Sequence, residues 1–143
     1  MARPIADIEE EIVDEFSLFD EWLEKYEYII EMGQNLPGLP ETDKTTDYIV
    51  HGCQSQVWLH ADKKEGEVVF RADSDAIITK GLIAMLIRVL SGQSPQEILD
   101  AKLGFIDRIG MREHLSPTRS NGLNAMIKQM KNYALAYSMK HAN

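Results

Sequence analysis

Residues Ala76 to Leu90, AIITKGLIAMLIRVL, are apolar almost all the way round, interrupted only by Thr79, Lys80, Gly81 and Arg88. A helix of that kind has no face to offer water, so the rest of the chain has to wrap around it. The segment predicts a central buried helix, entered through Asp73-Ser74-Asp75, whose oxygens suit a helix start. Its longest unbroken apolar stretch, Gly81 to Ile87, is far too short to cross a bilayer. With 143 residues the chain has the length at which one such core is normal.

The remaining segments read as the wrapping. Ile5, Ile8, Ile12, Phe16 and Phe19 recur at helical spacing among acidic residues, predicting an amphipathic helix. A second helix is expected from about Glu21, with Trp22, Leu23, Tyr26, Ile29, Ile30 and Met32 as its buried side and Gly33 as a left-handed terminus. Pro37, Gly38 and Pro40 make residues 34–46 a loop. Tyr48-Ile49-Val50 and Val57-Trp58-Leu59 read as strands on either side of Cys53, and a polar turn at Asp62 to Gly66 leads to a further strand over Glu67 to Arg71. Ser94-Pro95-Gln96-Glu97 signals a capped short helix through Asp100. Another short helix is expected over Ile106 to His114, and Ser116-Pro117 opens a last one whose apolar face carries Leu123, Met126, Ile127, Met130 and Ala134. Helices bracketing a small antiparallel sheet define an α+β class, in one domain over residues 1–143.

Charge narrows the partners. Fifteen basic against 23 acidic residues leave a net charge of −8, the wrong sign for gripping nucleic acid or an anionic membrane surface. The acidic N-terminus lacks the basic-then-apolar pattern of a leader, so a cytoplasmic location is expected. Cys53 is the only cysteine, which excludes an internal disulfide and any C-x-x-C redox pair. A zinc site from His51, Cys53, His60 and His114 lacks the paired short spacings that metal sites show, so no metal is expected. No phosphate-cradling glycine motif is present, and the histidines, His141 included, carry no local signature of a cysteine hydrolase.

Cys53 lies in His51-Gly52-Cys53-Gln54-Ser55-Gln56, where glycine and polar residues describe a shaped turn. Two roles fit: a small buried hydrophobe, or a thiol presented at a loop tip. A reactive thiol has to ionise, and an ordinary one with a pKa of about 8.5 is only a few per cent thiolate near neutrality. His51 and Arg119 are the candidate activators, against the plainer readings of a solvated strand end and a surface residue on the last helix.

The segment Gly52-Cys53-Gln54-Ser55-Gln56-Val57-Trp58 resembles the cysteine motif of the SufE family, sulfur acceptors for cysteine desulfurases. Three further blocks are similar in the family's order: Tyr26 to Gln34 with Leu36-Pro37, Ser74-Asp75-Ala76 with Lys80 to Ala84, and His114 to Leu123 with Ala125-Met126-Ile127. The resemblance spans Trp22 to Ala134 and implies a SufE/IscU-like fold. The IscU-type scaffolds hold clusters with several cysteines; here Cys53 alone points to carrying sulfur.

The resemblance further implies that Cys53 takes persulfide sulfur from a SufS-like desulfurase and passes it to a Suf-type scaffold complex that assembles iron–sulfur clusters, stimulating the desulfurase as it does so. Pyridoxal phosphate belongs to that partner, and this chain binds no cofactor of its own; it acts as a carrier and activator rather than a stand-alone enzyme. Relatives keep the cysteine loop tucked against apolar surface until the partner draws it out. By the same resemblance Asp75 governs loop mobility and partner contact, and Arg119 contacts the desulfurase or steadies the thiolate. His51, Gly52 and Gln54 complete the loop set, and some relatives carry an uncharged residue where His51 stands. The alternative use of Cys53 is as a thiol redox sensor or peroxide-reducing enzyme. The sequence leaves open whether the chain is a monomer or a homodimer.

Overall fold

The computed structural model describes residues 3–142. Helix α3, Ile77–Leu90, runs through the middle, with nine of its 14 residues buried, as its composition requires. Around it lie α1 (Ile5–Phe16), α2 (Trp22–Gln34), a hairpin of β1 (Val57–Lys64) and β2 (Glu67–Ser74), three short helices α4 (Pro95–Asp100), α5 (Phe105–Arg108) and α6 (Met111–His114), and the long α7 (Pro117–Ala142). α3 touches α1, α2, β2 and α7. Helices packed on a two-stranded antiparallel sheet give the α+β class expected from the sequence. Among the described residues no helix is long and apolar enough to cross a membrane.

α1 buries Ile8, Ile12 and Phe16 and turns its acidic face toward α3. There Glu15 receives both guanidinium arms of Arg88, at 2.7 and 2.6 Å, and Glu11 is shared between Arg88 and Arg3. The one arginine of the core helix thus reaches the surface already neutralised. The Arg3 and Arg88 guanidiniums pull the Glu11 carboxyl down to about 2.

α2 corrects one expectation. Gly33 is not a left-handed terminus; it lies inside the helix, which ends at Gln34, with Asn35 still right-handed beyond it. Its absent side chain serves packing. A Cβ on Gly81 would stand 2.1 Å from the Ile29 carbonyl oxygen, and one on Gly33 would stand 2.7 Å from the Gly81 nitrogen. The α2 and α3 backbones therefore touch, which only glycine permits. Leu23, expected on the buried side, is exposed because the contact face is set by Ile29 and Gly33.

The hairpin turns at Glu65 and Gly66, with φ of 53° and 84°, the left-handed pair that a two-residue turn demands. Asp62, Lys63 and Lys64, expected in the turn, extend β1 and pair with Val69, Val68 and Glu67. Residues 48–50 are not a strand. Thr46–Tyr48 form a 3₁₀ turn, Tyr48 stacks on His60 at 3.6 Å, and only Ile49 bridges β1, opposite Trp58. The helix expected over 106–114 is split at Gly110, whose φ of 74° ends α5 and starts α6. The Ser94 capping box forms as read.

Both outer edges of the hairpin are occupied. On β1, Tyr133 and Tyr137 of α7 donate hydroxyls to the Leu59 and Ala61 carbonyls at 3.1 and 2.9 Å. On β2, Val68 exchanges backbone bonds with Gly92 and Gln93, and the Phe70 amide donates to Ser91 Oγ.

Candidate functional site

Cys53 sits on a six-residue loop, 51–56, closed at its neck by a 2.8 Å bond from the Val50 amide to the Val57 carbonyl. The loop lies across the start of α7. Gly52 holds φ at +100°, a conformation that favours glycine, and a Cβ there would crowd the Ala125 Cβ at 3.1 Å. The half-buried Cys53 thiol donates a long 3.5 Å bond to the Gly122 carbonyl of α7. That is a weak tether.

The far end of the loop is held more firmly. The Gln56 amide donates to Asp75 Oδ1 at 3.0 Å, the Asp75 amide returns a bond to the Gln56 carbonyl at 3.2 Å, and Ser74 Oγ donates to that same carbonyl at 2.8 Å. Asp75 therefore does not serve as a cap for α3; the residue at the cap position is Ala76, without a side-chain bond. Asp75 and Ser74 instead clamp the cysteine loop to the end of β2. Next to them, buried Asp73 accepts from the Leu39 amide at 3.1 Å and pairs with Lys44 and Lys80, fixing the preceding proline-rich loop.

Cys53 opens onto a cavity of about 500 Å³ whose wall includes Gln54, Ile77, Thr79, Arg119 and Met126. Ile77 is exposed at its edge. Burial pushes the Cys53 thiol pKa up, and no neighbouring charge pulls it down. The expected activators do not act on the resting thiol. His51 is exposed and lines a separate polar depression with Asn121, Asn124 and Lys128. Arg119 is exposed on the first turn of α7 and shares the cavity without forming a bond to the sulfur. The structure thus brings Cys53, Gln54 and Arg119 to one cavity, puts Asp75 behind the loop, and leaves His51 outside.

The other histidines are engaged elsewhere. His60 is buried and donates from Nε2 to the Asp43 carbonyl at 2.8 Å, while His114 stacks on Trp22 at 4.1 Å. The His141 side chain lies outside the described residues. Among those described, no group of three or more His, Cys, Asp or Glu is placed to hold a metal ion. Sequence reasoning missed Gly122, Gln56 and Ser74. Gly122 did carry a signal: a glycine inside a periodic helix costs about 1 kcal/mol relative to alanine, and here the Cys53 sulfur lies over it, 3.5 Å from where a Cβ would stand.

A small α+β domain presenting one half-buried thiol on a clamped loop defines a class of single-cysteine proteins. Residues 10–134 match the family model described as the Fe-S metabolism associated domain, SufE. An uncharacterized SufE-like protein of Rhizobium meliloti is 44% identical over 131 residues, covering 87% of this chain and 93% of the relative. One from Rhizobium etli is 40% identical over 131 residues, covering 87% and 88%. The solution structure of a hypothetical protein from Thermus thermophilus superposes with a TM-score of 0.74 at 24% identity, over 90% of this chain and 94% of that one, a likeness of fold. The chain belongs to the SufE family and is associated with iron–sulfur metabolism.

Proposed function

We propose that the protein is a sulfur carrier. Cys53 accepts the terminal sulfur of a persulfide formed on a SufS-like cysteine desulfurase and hands it to an iron–sulfur assembly scaffold, relieving the desulfurase of its product. In the first step the Cys53 thiolate attacks the outer sulfur of the donor persulfide. A new S–S bond forms on Cys53, the donor's S–S bond breaks, and its electron pair stays on the donor cysteine as thiolate. No oxidant or reductant is consumed. The pyridoxal phosphate that frees sulfur from cysteine is the partner's.

The observation that carries this reading is the thiol's placement: alone, half-buried over Gly122, and tethered by one long bond on a loop clamped behind it. Burial disfavours the thiolate, so the resting thiol is less reactive than an exposed one until the loop moves. That supports a carrier that is armed by docking. It weighs against a peroxide sensor, whose cysteine needs a lowered pKa and ready access.

Incubation with desulfurase, pyridoxal phosphate and free cysteine is expected to add about 32 Da to Cys53, reversible by a reducing thiol. Cys53→Ser is expected to gain no mass and to leave desulfurase turnover unstimulated. Stimulation by Cys53→Ser would replace the carrier with an allosteric docking module, and mass gain with peroxide alone would replace it with a sensor.

A further inference from the structure

We infer that the Cys53 cavity also receives a small thiol bearing a carboxylate, held by Arg119 so that its sulfur reaches a persulfide on Cys53. The inference rests on the carrier reading for the origin of that persulfide.

The ion-pair pattern singles out Arg119. The chain has six arginines and a surplus of eight acids. Arg3, Arg71, Arg88, Arg108 and Arg112 each pair with a carboxylate of the chain. Arg119 has no such partner among the described residues; its first-turn backbone amide donates to Ser116 Oγ, its guanidinium is unpaired, and the residue lines the cavity. In so acidic a protein an arginine escapes pairing only where the fold keeps carboxylates away, and the described cavity wall contains none. The guanidinium fork suits a carboxylate, which it binds through two parallel bonds.

The cavity's size and remaining wall fit the same ligand. About 500 Å³ lies within the usual range of about 300–1,000 Å³ for small-molecule sites, enough for a molecule of amino-acid to tripeptide size. Ser55, Thr79, Ser116 and Thr118 line it together with apolar Leu82 and Met126, a mixed wall suited to a short polar chain. The N-terminal end of the 26-residue α7 adds positive potential at the same rim.

The chemistry balances without a further reagent. The small thiolate attacks the outer sulfur of Cys53–S–SH, a bond forms between them, the Cys53 S–S bond breaks, and its electron pair returns to Sγ. The products are a small-molecule persulfide and the Cys53 thiolate. The protein thus hands sulfur to a diffusible acceptor as well as to a protein.

The test compares four thiols on Cys53 persulfide, prepared both by desulfurase and, independently, by sulfide on an activated Cys53 disulfide. Loading is verified by mass before any thiol is added, so failure of the carrier reading shows as no gain from desulfurase, separately from the unloading rates. Those rates, per thiolate, are expected to be about two- to fivefold higher for 3-mercaptopropionate and glutathione than for neutral 2-mercaptoethanol and cationic cysteamine, the worth of one exposed guanidinium–carboxylate contact. Arg119→Ala is expected to erase the preference, Arg119→Lys to retain part of it, and Arg119→Glu to turn it toward cysteamine. S-methylglutathione is expected to slow glutathione and not 2-mercaptoethanol. Rates that follow intrinsic nucleophilicity alone, unchanged across the Arg119 variants, overturn the inference.

Discussion

Asp75→Ala tests the clamp behind the cysteine loop. The variant removes a carboxylate that accepts the Gln56 amide at 3.0 Å, leaving the Ser74 hydroxyl and the Asp75 main-chain bond to hold the Gln56 carbonyl. A charge-assisted bond at an exposed position contributes about 1 kcal/mol, up to about 1.5. If the loop opens as a unit before the thiol reacts, that loss multiplies the open population about five- to tenfold. Opening also removes the burial that raises the Cys53 pKa, so the two effects reinforce one another. The assay is alkylation of Cys53 by iodoacetamide at fixed pH, followed by intact mass, with hydrogen exchange of the Gln56 amide in parallel. The expected result is five- to tenfold faster alkylation with little change in global stability. Faster exchange at Gln56 with unchanged alkylation would refute the reasoning, because the thiol's protection would then lie in its contact with α7 and not in the clamp.

Two further outcomes come from the core and its acidic rim. Gly81→Ala places a methyl 2.1 Å from the Ile29 carbonyl and forces α2 and α3 apart; a loss of at least about 3 kcal/mol, or roughly 10 °C in Tm, is expected in thermal unfolding. Glu11, pulled down to about 2 from an ordinary 4.5, binds a proton less readily folded than unfolded. Its stabilisation is therefore complete above about pH 4.5 and disappears as pH falls toward about 2, and Glu11→Gln is expected to show a shallower decline of Tm across that window.

The elements that sequence made legible are those whose pattern is local. The all-round apolar segment at Ala76–Leu90 could only be the centre, and Ser94-Pro95 with Glu97 specifies its own cap. Misreadings fell where a distant partner decides. Gly33 reads as a terminus until Gly81 arrives against it, and Tyr48 reads as strand until His60 offers a ring to stack on. At the site, Cys53 and Gly52 were visible from composition and turn chemistry. The separation of His51 from the thiol was not, because neighbours two apart diverge once the loop bends over α7. From local pattern Asp75 reads as a helix-start acid and only the family resemblance ties it to the loop, because its bond to Gln56 depends on how β2 returns beside that loop.

The two-stranded hairpin has a consequence of its own. A ribbon this narrow consists entirely of borders, and open borders invite recruitment of foreign strands. Tyrosine hydroxyls from α7 on one side and the Ser91–Gln93 backbone on the other leave few main-chain groups free to template such growth. If the cysteine loop loosens as proposed, it can do so without the hairpin becoming a seed for fibrils, and copies that associate are expected to meet through side-chain surfaces rather than by extending the sheet.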